Sequence, residues 1–246
     1  DVMLERQKRR FGVEIEAGAP RIAYREAIKG RSKAQGKYKK QSGGRGQYGD
    51  CWLEIEPLPR GKGFTFIDKI VGGVIPKNYI PAVEKGIRET MNSGVIAGYP
   101  VMDVKVTLVD GSYHEVDSSD LAFKIAGSMG FKKAFAEARP VILEPIMTME
   151  INVPDDCVGD IVSDLNKKRG KILGMEQGAG KSQVVKALVP SSETAKYASD
   201  LRSISRGRGH FTSRFSHYEE APAKTQTDLV GRYEQLKAAG QLQERT

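Results

Sequence analysis

Past Pro140 the hydrophobic pattern switches period in an order that admits few folds. "IMTMEINV" (146–153) reads as a strand, and "DDCVGDIVSDLNKKRG" (155–170) as a helix with Val158, Ile161, Val162 and Leu165 on one stripe and Gly170 at its end. Two strands come next, "KILGMEQG" (171–178) and "SQVVKALVP" (182–190), then a helix over 192–207 and a strand over 209–220. The order β-α-β-β-α-β is the split βαβ, or ferredoxin-like, arrangement. A last amphipathic helix carries Leu229, Val230, Tyr233 and Leu236, ahead of a frayed tail.

The preceding stretch has a different texture. "FGVEIEAG" (11–18) and "PRIAYREAI" (20–28) alternate like half-buried strands after what reads as the tail of a helix. Residues 29–49, "KGRSKAQGKYKKQSGGRGQYG", are rich in glycine and hold seven Lys or Arg with no acidic residue, and regular structure is expected only after them. "DCWLEIEPL" then places Cys51, Leu53 and Ile55 on one strand face, with Asp50, Trp52, Glu54 and Glu56 on the other. "GFTFIDKIV" is a second strand, and Ile80, Val83, Ile87 and Met91 mark a helix that Gly94 ends. "VMDVKVTLV" is a further strand. The loop "DGSYHEVDSS" (110–119), with Asp110-Gly111 as a turn pair, leads into a long helix capped by Asp117 or Ser118.

Composition excludes some classes. The 246 residues suffice for one large or two medium domains, and 39 Lys+Arg against 31 Asp+Glu favour an anionic partner. Cys51 and Cys157 are far apart without metal-ligand spacing, which fits a reducing cytoplasm and no structural metal. No apolar run approaches the ~20 residues of a membrane span. The charged start is no secretory signal, and it opens mid-pattern, as expected of a piece of a longer protein.

One motif invites an enzyme reading. "QGAGKS" ends in Gly180-Lys181-Ser182, but a phosphate-binding loop needs its first glycine at 175, where Met175 stands. The residues after it alternate like a strand, whereas the phosphate cradle needs a helix N-terminus. The run is read as a hairpin turn, with no catalytic residue and no cofactor assigned to this chain.

The candidate binding residues lie in loops. In "SGGRGQYG", Ser42, Gly43, Gly44, Arg45, Gly46, Gln47, Tyr48 and Gly49 combine a closely approachable backbone with a planar cation and an amide. Composition alone leaves open a nucleic-acid contact or a linker with solvated charges, and the bare GxxG of 43–46 lacks the helices of a KH domain. Tyr113 and His114 have no structural reason within their loop, and no partner makes His114 a catalytic base. In "SRGRGHF", Arg206 and Arg208 fit either RNA contact or helix capping with Gly207 at C′.

Taken together, "SGGRGQYG", "GGVIPKNYIPAVEKGIRETMNSG", "YPVMDVKVTLVDGSYHEVDSSDLAFKIAGSMGFKKAFAEARPVILEPIM" and "YASDLRSISRGRGHFTSRFSHYEEAP" closely resemble the C-terminal half of bacterial elongation factor G. The resemblance covers nearly the whole chain and implies an α+β protein. Residues 1–28 would be the end of domain III. Residues 29–143 would be domain IV, an elongated α/β domain like the second domain of ribosomal protein S5, with a left-handed βαβ crossover. Residues 144–222 would be the ferredoxin-like domain V, and 223–246 a C-terminal helix and tail packing back on domain IV. By resemblance, the loops at 42–49 and around Tyr113 and His114 form a tip that meets messenger and transfer RNA in the decoding site during translocation. Arg202, Arg206 and Arg208 would face large-subunit ribosomal RNA. GTP and Mg would belong to a missing N-terminal domain, so this part is no enzyme while its parent is a ribosome-stimulated GTPase. The protein would be a cytoplasmic monomer whose partners are the ribosome, transfer RNA and messenger RNA.

The chain departs from that family pattern at Asp50-Cys51-Trp52, where a histidine commonly follows the "QYG" triplet, at the turn "QGAGKS", and across 191–209. These departures suggest a paralogue, for which ribosome recycling or ribosome protection is the alternative role. A free-standing RNA-binding protein is the alternative from another class.

Overall fold

The computed structural model describes Arg10, residues 21–41 and residues 46–240. The strand expected over 11–18, and Ser42, Gly43, Gly44 and Arg45, lie outside the described residues. The chain divides into two compact units: Ala23–Glu144 with the segment from Tyr218 onward falls in one, and Pro145–His217 in the other.

In the first unit, β1 is Arg25–Ile28, β2 Ser32–Lys40, β3 Gln47–Pro57 and β4 Phe64–Asp68. Helix α1 (Ile80–Ser93), strand β5 (Val104–Ser112) and helix α2 (Asp120–Glu137) come after them. Strands β2, β3, β5 and β4 form one sheet in that order, with β4 parallel to β5 through the α1 crossover and the other pairs antiparallel. Cys51, Leu53 and Ile55 of β3 and Val106 and Leu108 of β5 bury one sheet face against Val83, Ile87, Phe123, Phe131 and Phe135 of the helices. Burial of these side chains is the main stabilising term.

The basic, glycine-rich run departs from expectation, because nine of its residues form β2. Its period is masked by small residues: Ala34 and Gly36 are buried where a strand would ordinarily show large apolar ones, while Lys33, Lys37 and Lys39 point outward. Gly36 must be small, since an added Cβ would stand 2.0 Å from the Ala126 carbonyl oxygen of α2. Two loop assignments also change. Asp110 and Gly111 are no turn but continue β5 opposite Trp52 and Cys51, past a register shift between Trp52 and Leu53. The cap of α2 is Ser119, whose hydroxyl accepts from the Ala122 N–H at 3.2 Å, rather than Asp117 or Ser118.

Residues 23–28 belong with this unit for a specific reason. The fully buried carboxylate of Glu26 accepts the backbone N–H groups of Val95, Ile96, Ala97 and Tyr99 at 2.6–3.1 Å. Strand β6 (Pro140–Pro154) begins here, paired with β1. Helix α5 (Ala223–Ala238) returns to the unit: the Gln226 side-chain oxygen accepts from the Ile142 N–H at 2.9 Å, and the Tyr233 ring lies against Gly98.

In the second unit, β6 continues and is succeeded by α3 (Val158–Lys167), β7 (Lys171–Gln177), β8 (Ser182–Pro190), α4 (Tyr197–Ile204) and β9 (His210–Glu220). The strand order β9-β6-β8-β7 realises the split βαβ arrangement. Met149, Ile151 and Val153 of β6 and Val185, Ala187 and Val189 of β8 pack on Ile161 and Leu165 of α3 and on Tyr197 and Leu201 of α4.

Candidate nucleic-acid interface

Antiparallel pairing of β2 with β3, and of β3 with β5, brings the β2–β3 turn and the loop after β5 to the same end of the first sheet. Lys40 pairs with Gln47 at the mouth of the turn, and Ser112 opposite Asp50 precedes Tyr113. Hydrogen bonds then fasten one loop to the other. The Gly46 N–H donates to Asp117 Oδ1 at 3.0 Å, and the Tyr48 N–H to the Asp117 carbonyl at 2.8 Å. Ser118 Oγ donates to the Tyr48 carbonyl at 3.0 Å while accepting the His114 N–H at 2.9 Å, so one hydroxyl bridges both segments. Gly49 completes the fit, because an added Cβ would stand 2.5 Å from the Ala122 carbonyl oxygen at the start of α2.

This arrangement orients the His114 ring. Its Nδ1 accepts the N–H groups of Val116 and Asp117, each at 3.3 Å, so in the neutral ring the proton sits on Nε2. The side chain is 57% exposed and presents that N–H as a donor toward solvent. Tyr48 lies with its ring centroid 6.5 Å from that of His114, holds a hydrogen bond with Ser112 Oγ at 2.7 Å, and has Lys37 Nζ 5.7 Å from its ring centre. Tyr113 is exposed on the same loop.

Of the predicted residues, the structure thus brings Gly46, Gln47, Tyr48 and Gly49 together with Tyr113 and His114. Residue patterns missed the scaffold beneath them. Asp50 is buried and accepts from Gln35 Nε2 at 2.8 Å and Ser112 Oγ at 2.7 Å. It therefore braces β2, β3 and β5 just below the loops. Burial, and then the Asp50 charge beside it, push the Cys51 thiol up to about 12, which keeps it neutral. The period-two pattern had put Asp50 on the outer face, and no local signal marks it as an acceptor of two long-range bonds.

The second arginine group divides. Arg202 and Arg206 are exposed, whereas Arg208 Nη2 is engaged with Asp156 Oδ2 at 2.8 Å, which holds the Asp156 carboxyl below its ordinary range. The cap assignment also shifts by one residue. Gly207 N–H donates to the Arg202 carbonyl at 2.8 Å and Arg206 N–H to that of Ser203 at 3.4 Å, so C′ is Arg206, with φ 54°, and Gly207 is C″. Helix α3 ends the same way, with Arg169 at φ 56° and Gly170 N–H donating to the Leu165 carbonyl.

The Gly-Lys-Ser run closes the β7–β8 hairpin. Gly178 N–H donates to the Ser182 carbonyl at 2.9 Å, Ser182 Oγ donates to the Ala179 carbonyl at 2.8 Å, and strand β8 begins directly. A phosphate cradle, which needs a helix there, does not fit this turn.

Fold and site define an α+β protein of two units, the second ferredoxin-like, with two loops clamped at one end of the first unit's sheet. The chain matches the family described as elongation factor G, domain IV, over residues 20–139, and that described as elongation factor G C-terminus over residues 141–229. It is 55% identical over 231 residues to elongation factor G of Aquifex pyrophilus, covering 94% of this chain and 33% of that protein. A crystal structure from Thermus thermophilus superposes with a TM-score of 0.84 at 49% identity, covering 95% of this chain and 35% of that one. This chain belongs to the elongation factor G family, and it spans about a third of the length of these relatives. Among the described residues no helix is long and apolar enough to cross a membrane.

Proposed function

We propose that this chain is the RNA-contacting portion of a cytoplasmic, monomeric translation factor that promotes ribosomal translocation of transfer and messenger RNA. The clamp between residues 46–48 and 114–118 is the observation that supports the reading, because it makes one rigid surface from two loops distant in sequence. In this mechanism Lys37, Lys39 and Lys40 attract the RNA backbone at long range, and Arg45 and Gln47 make short-range contacts. The exposed His114 ring adds a hydrogen-bonding group. Arg202 and Arg206 meet ribosomal RNA of the large subunit, with Arg208 held back by Asp156. The chain itself performs no covalent step: GTP and Mg bind in a part of the protein outside it.

The test uses full-length factor with ribosomes. His114→Ala should slow single-turnover translocation by about tenfold, the loss of roughly 1.4 kcal/mol of transition-state stabilisation, while ribosome-stimulated GTP hydrolysis stays within about twofold. Unchanged translocation would remove His114 from the contact surface. Subunit splitting assayed in parallel separates a recycling role.

A further inference from the structure

Resting on that reading, we infer that the segment Lys69–Val74 is a third RNA-contacting loop at the same end of the first unit's sheet. Parallel pairing of β4 with β5 makes both strands run toward the clamped loops. The chain leaving β4 then climbs beside β5. Lys69 N–H donates to the Leu108 carbonyl at 2.9 Å, and Ile75 is fully buried with its side chain against Gly111. Farther on, Tyr79 OH reaches the carbonyl of Ser118 at 3.3 Å, the residue that bridges the other two loops.

Between the two anchors the loop protrudes. Ile70 packs on the core and Ile75 is sealed within it, yet Val71 is 82% exposed and Val74 is exposed too. Gly72 and Gly73 both adopt φ 70°, with nothing within 4 Å of an added Cβ. Asp68 Oδ1 accepts the Ile70 N–H at 2.9 Å, which fixes the start of the loop. Val71, bare on a glycine pair held at both ends and flanked by exposed Lys69 and Lys77, has little packing role in this unit, while Val74 is about two-thirds covered beside it. Their chemistry suits nucleic acid: the lysines attract phosphate, the glycines let the backbone approach closely, and the valines pack on sugar and base faces.

The experiment places a benzophenone amino acid at position 71 or, separately, at position 114 of the full-length factor bound to ribosomes, and identifies the photocrosslinked partner. Crosslinking to RNA from both positions is expected. Val71→Asp, at an exposed site, should leave the thermal midpoint unchanged and slow translocation by about fivefold, with GTP hydrolysis unaffected. RNA crosslinks from position 114 alone, protein crosslinks from position 71, or a Val71→Asp variant of normal speed would overturn the third loop and leave the proposed function standing. No RNA crosslink from either position would overturn both.

Discussion

Two glycine-rich turns in this chain look alike on paper and are used differently. The glycine-rich link between β2 and β3, continued by Gly49 within β3, and the turn Gly178–Ser182 each join antiparallel strands, and each carries a cation, Arg45 or Lys181. The second turn bonds locally: Gly178 to Ser182, Ser182 to Ala179, and Gln177 Nε2 to the carbonyls of Gly180 and Ser182. The first bonds at long range, to Asp117 and Ser118 some seventy residues away, and lies against α2. A locally bonded turn only reverses the chain. A segment bonded to a distant loop positions a surface, and Gly46 and Gly49 are needed there for proximity.

Substitutions along both turns can break that contrast. Gly49→Ala drives a methyl into the backbone of α2 and should cost about 3 kcal/mol, read as a drop in denaturant midpoint; a loss below that of Gly180→Ala would deny the close fit. Asp50→Ala leaves Gln35 and Ser112 without their acceptor and should cost about 2 kcal/mol, with the amide signals of residues 46–48 and 114–118 shifting together. Gly180→Ala meets nothing within 4 Å but must hold φ 66°, a penalty of about 1 kcal/mol by thermal denaturation. Lys181→Ala should change stability by less than about 0.5 kcal/mol and leave the full-length factor's GTP hydrolysis unaltered. A GTPase defect in that last variant would reinstate the nucleotide reading of the turn.

Much of this was legible residue by residue. The buried face of β3, the stripe of α1, the Gly170 stop and the hairpin at 178–182 arise from periods of two or 3.6 and from turn chemistry, all of which act within a few residues. Strand β2 was not legible, since Ala34 and Gly36 are small at the positions where burial would normally announce itself, and they are small because a helix ninety residues later passes against them. The cap at Ser119 was hidden among rival cappers: Ser118 is spent on Tyr48 and His114, and Asp117 on Gly46. Arg206 in a left-handed conformation had no local cue beside two glycines.

By itself, then, the order of residues determined most of the elements, the split βαβ unit and the families the chain matches, because hydrophobic period and backbone preference are properties of neighbours along the chain. Only the tertiary structure decided that β5 lies between β3 and β4. That placement sets His114 beside Tyr48 and carries Val71 and Val74 toward the same end of the sheet. Strand neighbours are chosen by long-range burial and backbone pairing, which no short window of sequence contains.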